Sequence, residues 1–100
     1  MTPPDGPARD PHEELRDCRN EIEVVDRRIV ALLAQRVSLG VRAAHAKRGA
    51  GLPLVDPVRE AEVIHRAATE ADRHDLPRDA VERVFQQIVV LSRLAQGEAR

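Results

Sequence analysis

One hundred residues, 42% hydrophobic and 33% charged, bound the chain to a single small domain of ordinary helical-protein composition. A formal net charge of −1 leaves no basic footprint for nucleic acid or an anionic membrane, and the lone aromatic, Phe85, offers no base-stacking platform. The single cysteine rules out an intrachain disulfide, while the absence of a membrane-length apolar run or a leader-like N-terminus makes a cytoplasmic protein the expectation.

Residues 1–10 are proline-rich with little apolar bulk and read as a disordered tail ahead of one helical domain, 11–97. Asp10 can cap a helix that begins at Pro11, with Glu13 at the capping-box position. A period near 3.5 then runs to about Arg48, where Gly49-Ala50-Gly51 ends it. The rows Leu15, Ile22, Ile29, Arg36, Ala43 and Cys18, Val25, Leu32, Leu39, Ala46 mark the seam this helix is expected to bury, with Cys18 as a small buried hydrophobe. A helix of some 37 residues is a rod of roughly 55 Å at ~1.5 Å per residue, too long for the rest of the chain to cover. A second copy is the expected cover, giving an intertwined two-fold homodimer.

Leu52-Pro53-Leu54-Val55 reads as an extended connector, and Asp56-Pro57 repeats the cap-plus-proline start. The second helix is predicted to reach about His74 with Val58, Ala61, Ile64, Ala68 and Ala71 inward. After Asp75-Leu76-Pro77, a third helix is predicted to about Gln96 with Val81, Val84, Phe85, Ile88, Leu91, Ser92 and Ala95 inward. No segment alternates as a strand, so the predicted fold is all-α with three helices per chain, the first very long.

Lys47 is the only lysine beside fifteen arginines, and it follows Arg36 by eleven residues on the first helix. Eleven steps of ~100° bring the two cations to within ~20° of one face, roughly 16 Å apart. A cation on an apolar seam needs an anion, since an unpaired buried charge costs several kcal/mol. One account is an internal salt bridge to Glu60, Asp56 or a partner-chain carboxylate. The other is a pocket for a small organic acid, with arginine forks and a compact lysine as donors. His12, His45, His65 and His74 lack metal-ligand spacing, and there is no phosphate loop or nucleophile elbow, so neither metal nor cofactor is expected.

Arg19-Asn-Glu-Ile22-Glu-Val-Val-Asp26, Leu32-Leu33-Ala-Gln-Arg36, Ala46-Lys47, Asp56-Pro57-Val58-Arg59-Glu60, Val84-Phe85-Gln86-Gln87-Ile88 and Ser92 to Gln96 together strongly resemble the all-helical (AroQ-type) chorismate mutases. The resemblance covers about residues 15–97. It implies an isomerase that rearranges chorismate to prephenate in aromatic amino acid biosynthesis, acting on a dicarboxylate without cofactor. It further implies that Arg19 is donated across a homodimer and that Arg36 holds the second carboxylate. Lys47 and Gln96 then meet the ether oxygen, Glu60 receives the ring hydroxyl, and Asp56, Arg59 and Ser92 support the pocket. Lys47, Gln96 and Arg36 are the implied catalytic residues. An aminodeoxychorismate mutase of an antibiotic pathway, an isochorismate pyruvate lyase and a non-catalytic helical dimer are the alternatives. Two positions depart from the familiar pattern. Gly40 stands where a slightly larger residue is usual, and Arg93 where an apolar one is typical; Arg93 is expected to face solvent, with a reshaped pocket as the other outcome.

Overall fold

A computed structural model describes residues 9–98, which form three α-helices: α1 Pro11–Gly49, α2 Pro57–Arg73 and α3 Arg78–Glu98. Among the described residues there is no strand, and no helix is long and apolar enough to cross a membrane. The expected disordered tail lies outside the described residues except for Arg9 and Asp10. Contacts divide the chain into two compact units, one ending at Leu32 and the other beginning at Leu33.

The first unit holds the start of α1. Asp10 caps it, its Oδ1 accepting from the backbone N–H of His12 at 3.0 Å. Arg9 pairs with Glu14 at 3.0 Å and also with Asp17, tying the entering chain to the first turns. Leu15, Ile22, Val25 and Ile29 are all exposed in the single chain. Cys18, expected to be buried, is exposed too; its Sγ reaches Glu14 Oε1 at 3.6 Å, and desolvation together with the carboxylates around it raises the thiol pKa. The physical reason is that an isolated stretch of helix buries nothing by itself.

The second unit holds the rest of α1, together with α2 and α3. The α2 and α3 helices pack closely on each other, and α1 reaches α3 through side chains. Its core is thin: Ala44, Ala67, Ala68 and Ala71 are buried, Ser92 is 8% exposed, and no large side chain is fully buried. The inward face of α1 runs through Leu33, Arg36, Val37, Gly40, Ala44 and Lys47, while Leu32, Leu39, Ala43 and Ala46 stay exposed. The expected seam is therefore only partly the face this unit covers. On α2 the inward face is rotated toward Glu60, Val63, Ile64, Ala67, Ala68 and Ala71, leaving Val58 at 70% exposure and Ala61 exposed. On α3, Val81, Phe85, Ile88, Ser92 and Ala95 turn inward as expected, but Val84 and Leu91 do not.

Two helix ends redirect the chain. At the end of α1, Gly51 takes φ 69° while Leu52 N–H donates to Lys47 O at 2.8 Å and Gly51 N–H to Arg48 O at 3.2 Å. This paired closure satisfies carbonyls the helix would leave open and turns the chain back toward Lys47. The end of α2 repeats it with Asp75 at φ 55°, Leu76 N–H donating to Ala71 O at 3.0 Å. A side chain at positive φ is strained, and a carboxylate at a helix C-terminus opposes the dipole. Asp75→Gly is therefore expected to stabilise the chain by about 0.5 kcal/mol, and Gly51→Ala to destabilise it by about 1 kcal/mol. Urea denaturation midpoints moving in opposite directions for the two variants would establish this; equal or reversed shifts would refute it.

Candidate functional site

The second unit contains a cleft of about 280 Å³ between the C-terminal part of α1, the connector, the start of α2 and the end of α3. That volume is close to the lower end of the range for small-molecule sites, about 300–1,000 Å³. Arg36, Lys47, Asp56, Arg59, Glu60, Ser92 and Gln96 all line it, brought together from three helices. Arg19 belongs to the first unit and is not among the lining residues.

Each side chain has a local cause for its placement. Arg36 Nη1 donates to Ser92 Oγ at 2.7 Å, which fixes the guanidinium against α3. A guanidinium carries five N–H donors, so this bond leaves most of the fork available. Lys47 Nζ donates to Leu54 O at 3.1 Å, and its backbone carbonyl is held by Leu52 N–H. The connector thus folds over the end of α1 through one residue, and the ammonium retains two further donors. Gln96 lies next to Gly40: a Cβ on Gly40 would sit 3.4 Å from Gln96 Nε2 and 3.9 Å from Ser92 Cβ. A side chain as small as that of alanine would make ordinary contact with both.

The carboxylates of the cleft are already engaged. Asp56 is the N-cap of α2, with backbone angles φ −128° and ψ 93°, and its Oδ1 accepts from Arg59 N–H at 3.1 Å. The Arg59 guanidinium turns along α2 toward Glu62, 3.7 Å away. Glu60 accepts from Arg93 with both oxygens, from Nε at 2.8 Å and from Nη2 more closely still. Solvent was the expected surrounding for Arg93. Its side chain is 49% exposed yet lines the cleft, while that of Glu60 is only 23% exposed, and a carboxylate this far withdrawn from water draws in the nearest cation. A positional signal existed: Arg93 lies four residues after Val89 and three before Gln96, on the helical face those two cleft residues share. The Leu54 carbonyl had no signal, since any residue there supplies the same atom.

The hydrogen bond from Arg93, then its charge and that of Lys47, hold the Glu60 carboxyl below the ordinary carboxylate value against the opposing push of desolvation and Asp56. Among the described residues, neither Arg36 nor Lys47 has a carboxylate within ion-pair distance, so the internal salt bridges considered from the sequence do not form within this chain. Four cations, Arg36, Lys47, Arg59 and Arg93, line the cleft with two carboxylates, Asp56 and Glu60; Arg59 is turned to Glu62 and Arg93 to Glu60, which leaves Arg36 and Lys47 as the cations without a carboxylate. The arrangement suits a small dianion presenting carboxylates to guanidinium forks. Among the described residues, no group of three His, Cys, Asp or Glu is placed to hold a metal ion.

Comparison with known proteins agrees in kind. Residues 18–97 match the family described as chorismate mutase type II. The chain is 29% identical over 86 residues to the chorismate mutase of Methanocaldococcus jannaschii, covering 86% of this chain and 87% of that protein. It is 31% identical over 77 residues to the T-protein of Haemophilus influenzae, covering 77% of this chain and 20% of that protein. Over 82 residues it is 35% identical to the bifunctional chorismate mutase/prephenate dehydratase of Escherichia coli, covering 82% and 21%. The chain thus spans about a fifth of the length of the T-protein and bifunctional relatives it matches.

The Glu60–Arg93 pair has a pH signature. With a depressed folded pKa, Glu60 contributes stability that is complete above the ordinary carboxylate value and is lost as the pH falls through the lower folded value. Carboxyl NMR titration is expected to place Glu60 below a reference glutamate in the native chain and to move it upward in Arg93→Leu. An unshifted Glu60 in the native chain would remove the pair as the cause.

Proposed function

The chain belongs to the chorismate mutase type II family, and we propose that it rearranges chorismate to prephenate in a cleft completed by Arg19 from a second copy. The observation that carries this reading is the cationic cleft itself, in which Arg36 and Lys47 keep donors that no carboxylate within the chain takes up.

The reaction is a concerted rearrangement in which a carbon–oxygen bond breaks as a carbon–carbon bond forms. It needs no nucleophile and no net proton transfer. The protein has two tasks: to hold the enolpyruvyl side chain folded over the ring, and to stabilise negative charge developing on the ether oxygen. Arg36, anchored on Ser92, binds one carboxylate, and Arg19 of a second copy binds the other. Holding a flexible substrate in its reactive pose contributes several kcal/mol of about 7–11 available to such effects. Lys47 Nζ and the Gln96 amide donate to the ether oxygen, where removing a donor aimed at a developing oxyanion costs about 2.7–4 kcal/mol. Lysine suits this position because its compact ammonium reaches the oxygen while still bonded to Leu54 O; a planar guanidinium would displace the substrate. Glu60 accepts the ring hydroxyl, and its presence favours a mutase over a pyruvate lyase.

The exposed apolar face of α1 supports the dimer on which the shared site depends. Leu15, Ile22, Val25 and Ile29 are each about half exposed in the single chain. Covering them contributes roughly 1 kcal/mol apiece, half of the ~1.5–3 kcal/mol gained by burying a fully exposed side chain. The second unit, lacking any fully buried large side chain, offers little core of its own.

Purified protein is expected to consume chorismate, read as loss of its absorbance; failure with chorismate, isochorismate and the amino analogue alike would defeat the enzymatic reading. Lys47→Ala and Lys47→Arg should each lower kcat by about 100-fold or more, and near-normal turnover by Lys47→Arg would undo the role given to Lys47. Arg19→Ala and Lys47→Ala, each inactive alone, should recover activity when mixed, because one site of the heterodimer then holds both native residues. A folded monomer at micromolar concentration, seen by sedimentation, would exclude the shared site.

A further inference from the structure

We propose that Arg93 is a specificity-determining residue, which reserves Glu60 for a neutral hydrogen-bond donor and disfavours a ligand that presents an ammonium there. The inference rests on the mutase reading of the cleft and narrows its substrate to the ring-hydroxy compound over the ring-amino one.

The geometry sets the terms. Arg93 occupies both Glu60 oxygens in a fork, through Nε at 2.8 Å and through Nη2. Each carboxylate oxygen has a second lone pair, so Glu60 can still accept one more hydrogen bond from the cleft side. What Arg93 removes is the net charge at that end of the site. Lys47 faces the same carboxylate, and Asp56, the other anion nearby, is spent on the α2 cap. A hydroxyl donating to Glu60 meets an acceptor that is oriented and ionised, and it brings no charge of its own. A primary aliphatic amine is protonated near neutral pH, so it enters beside Arg93 and Lys47 with its attraction to Glu60 already offset. Without Arg93, Glu60 would be offset by Lys47 alone and would make a more favourable ammonium site. Because Arg93 is about half exposed, solvent screens part of this repulsion, and the discrimination expected is about tenfold rather than many thousandfold.

The test compares kcat/KM for chorismate and 4-amino-4-deoxychorismate in the native protein and in Arg93→Leu, Arg93→Gln and Arg93→Lys. The native protein is expected to prefer the hydroxy substrate by about tenfold or more. Both neutral variants should cut that preference about tenfold, mainly by lowering KM for the amino compound, whereas Arg93→Lys, which keeps the charge, should retain it. A merely structural role would lower both substrates together and leave their ratio unchanged. An unchanged ratio in Arg93→Leu and Arg93→Gln, or a native preference for the amine, overturns the inference while leaving the mutase reading intact. Turnover of neither compound by the native protein overturns the mutase reading, and this inference with it.

Discussion

The cleft depends on a guanidinium held partly out of water against a serine. Arg36 donates to Ser92 Oγ at 2.7 Å, and Ser92 is 8% exposed, so the bond joins the inward face of α1 to α3 where both are shielded. A cation in such a place must be hydrogen-bonded, and one hydroxyl partner satisfies its geometry without neutralising its charge. The positive potential is left for a ligand. Had an aspartate stood at position 92, the same contact would have formed a closed ion pair and cancelled that charge.

The same economy governs the rest of the site. Both carboxylates are committed, Asp56 to the start of α2 and Glu60 to Arg93, and Lys47 is held by a backbone carbonyl rather than an acid. The cap, the connector and the ion pair are ordinary structural devices. Their joint effect is that the cleft's excess charge is positive and its acceptors are prearranged. Preorganised dipoles and charges of this kind stabilise charge that develops during a reaction without reorganising to meet it.

Stability and function meet at the thin core. Alanines, not leucines, are the buried apolar residues of the second unit: Ala67, Ala68 and Ala71 on α2, which packs on α3, and Ala44 on α1. Leu15, Ile22, Val25, Ile29, Leu32 and Leu39 of α1 remain exposed on the single chain. Under the proposed assembly, the face that lacks a partner for folding is also the one carrying Arg19 toward another copy's cleft. The substrate site would then be complete only where the apolar face is covered.

The sequence alone determined the three helices, their caps and their breaks, since Asp10, Asp56-Pro57, Gly51 and Asp75-Leu76-Pro77 act through backbone geometry within a few residues. It also identified Arg36 and Lys47 as sharing a face, because helical periodicity is local, and the spaced polar motifs pointed to the family. Which face each helix turns inward was less legible. Val58 and Leu39 sit on apolar rows yet stay exposed, because a row of apolar residues does not say whether its own chain or another will cover it. The pairing of Arg93 was decided only by tertiary structure. Its spacing from Val89 and Gln96 puts it on the cleft face, half exposed, but its partner there is Glu60, thirty-three residues earlier, whose partly desolvated carboxylate takes the guanidinium. Charge pairing across helices is a property of three-dimensional distance, and spacing along one helix does not contain it.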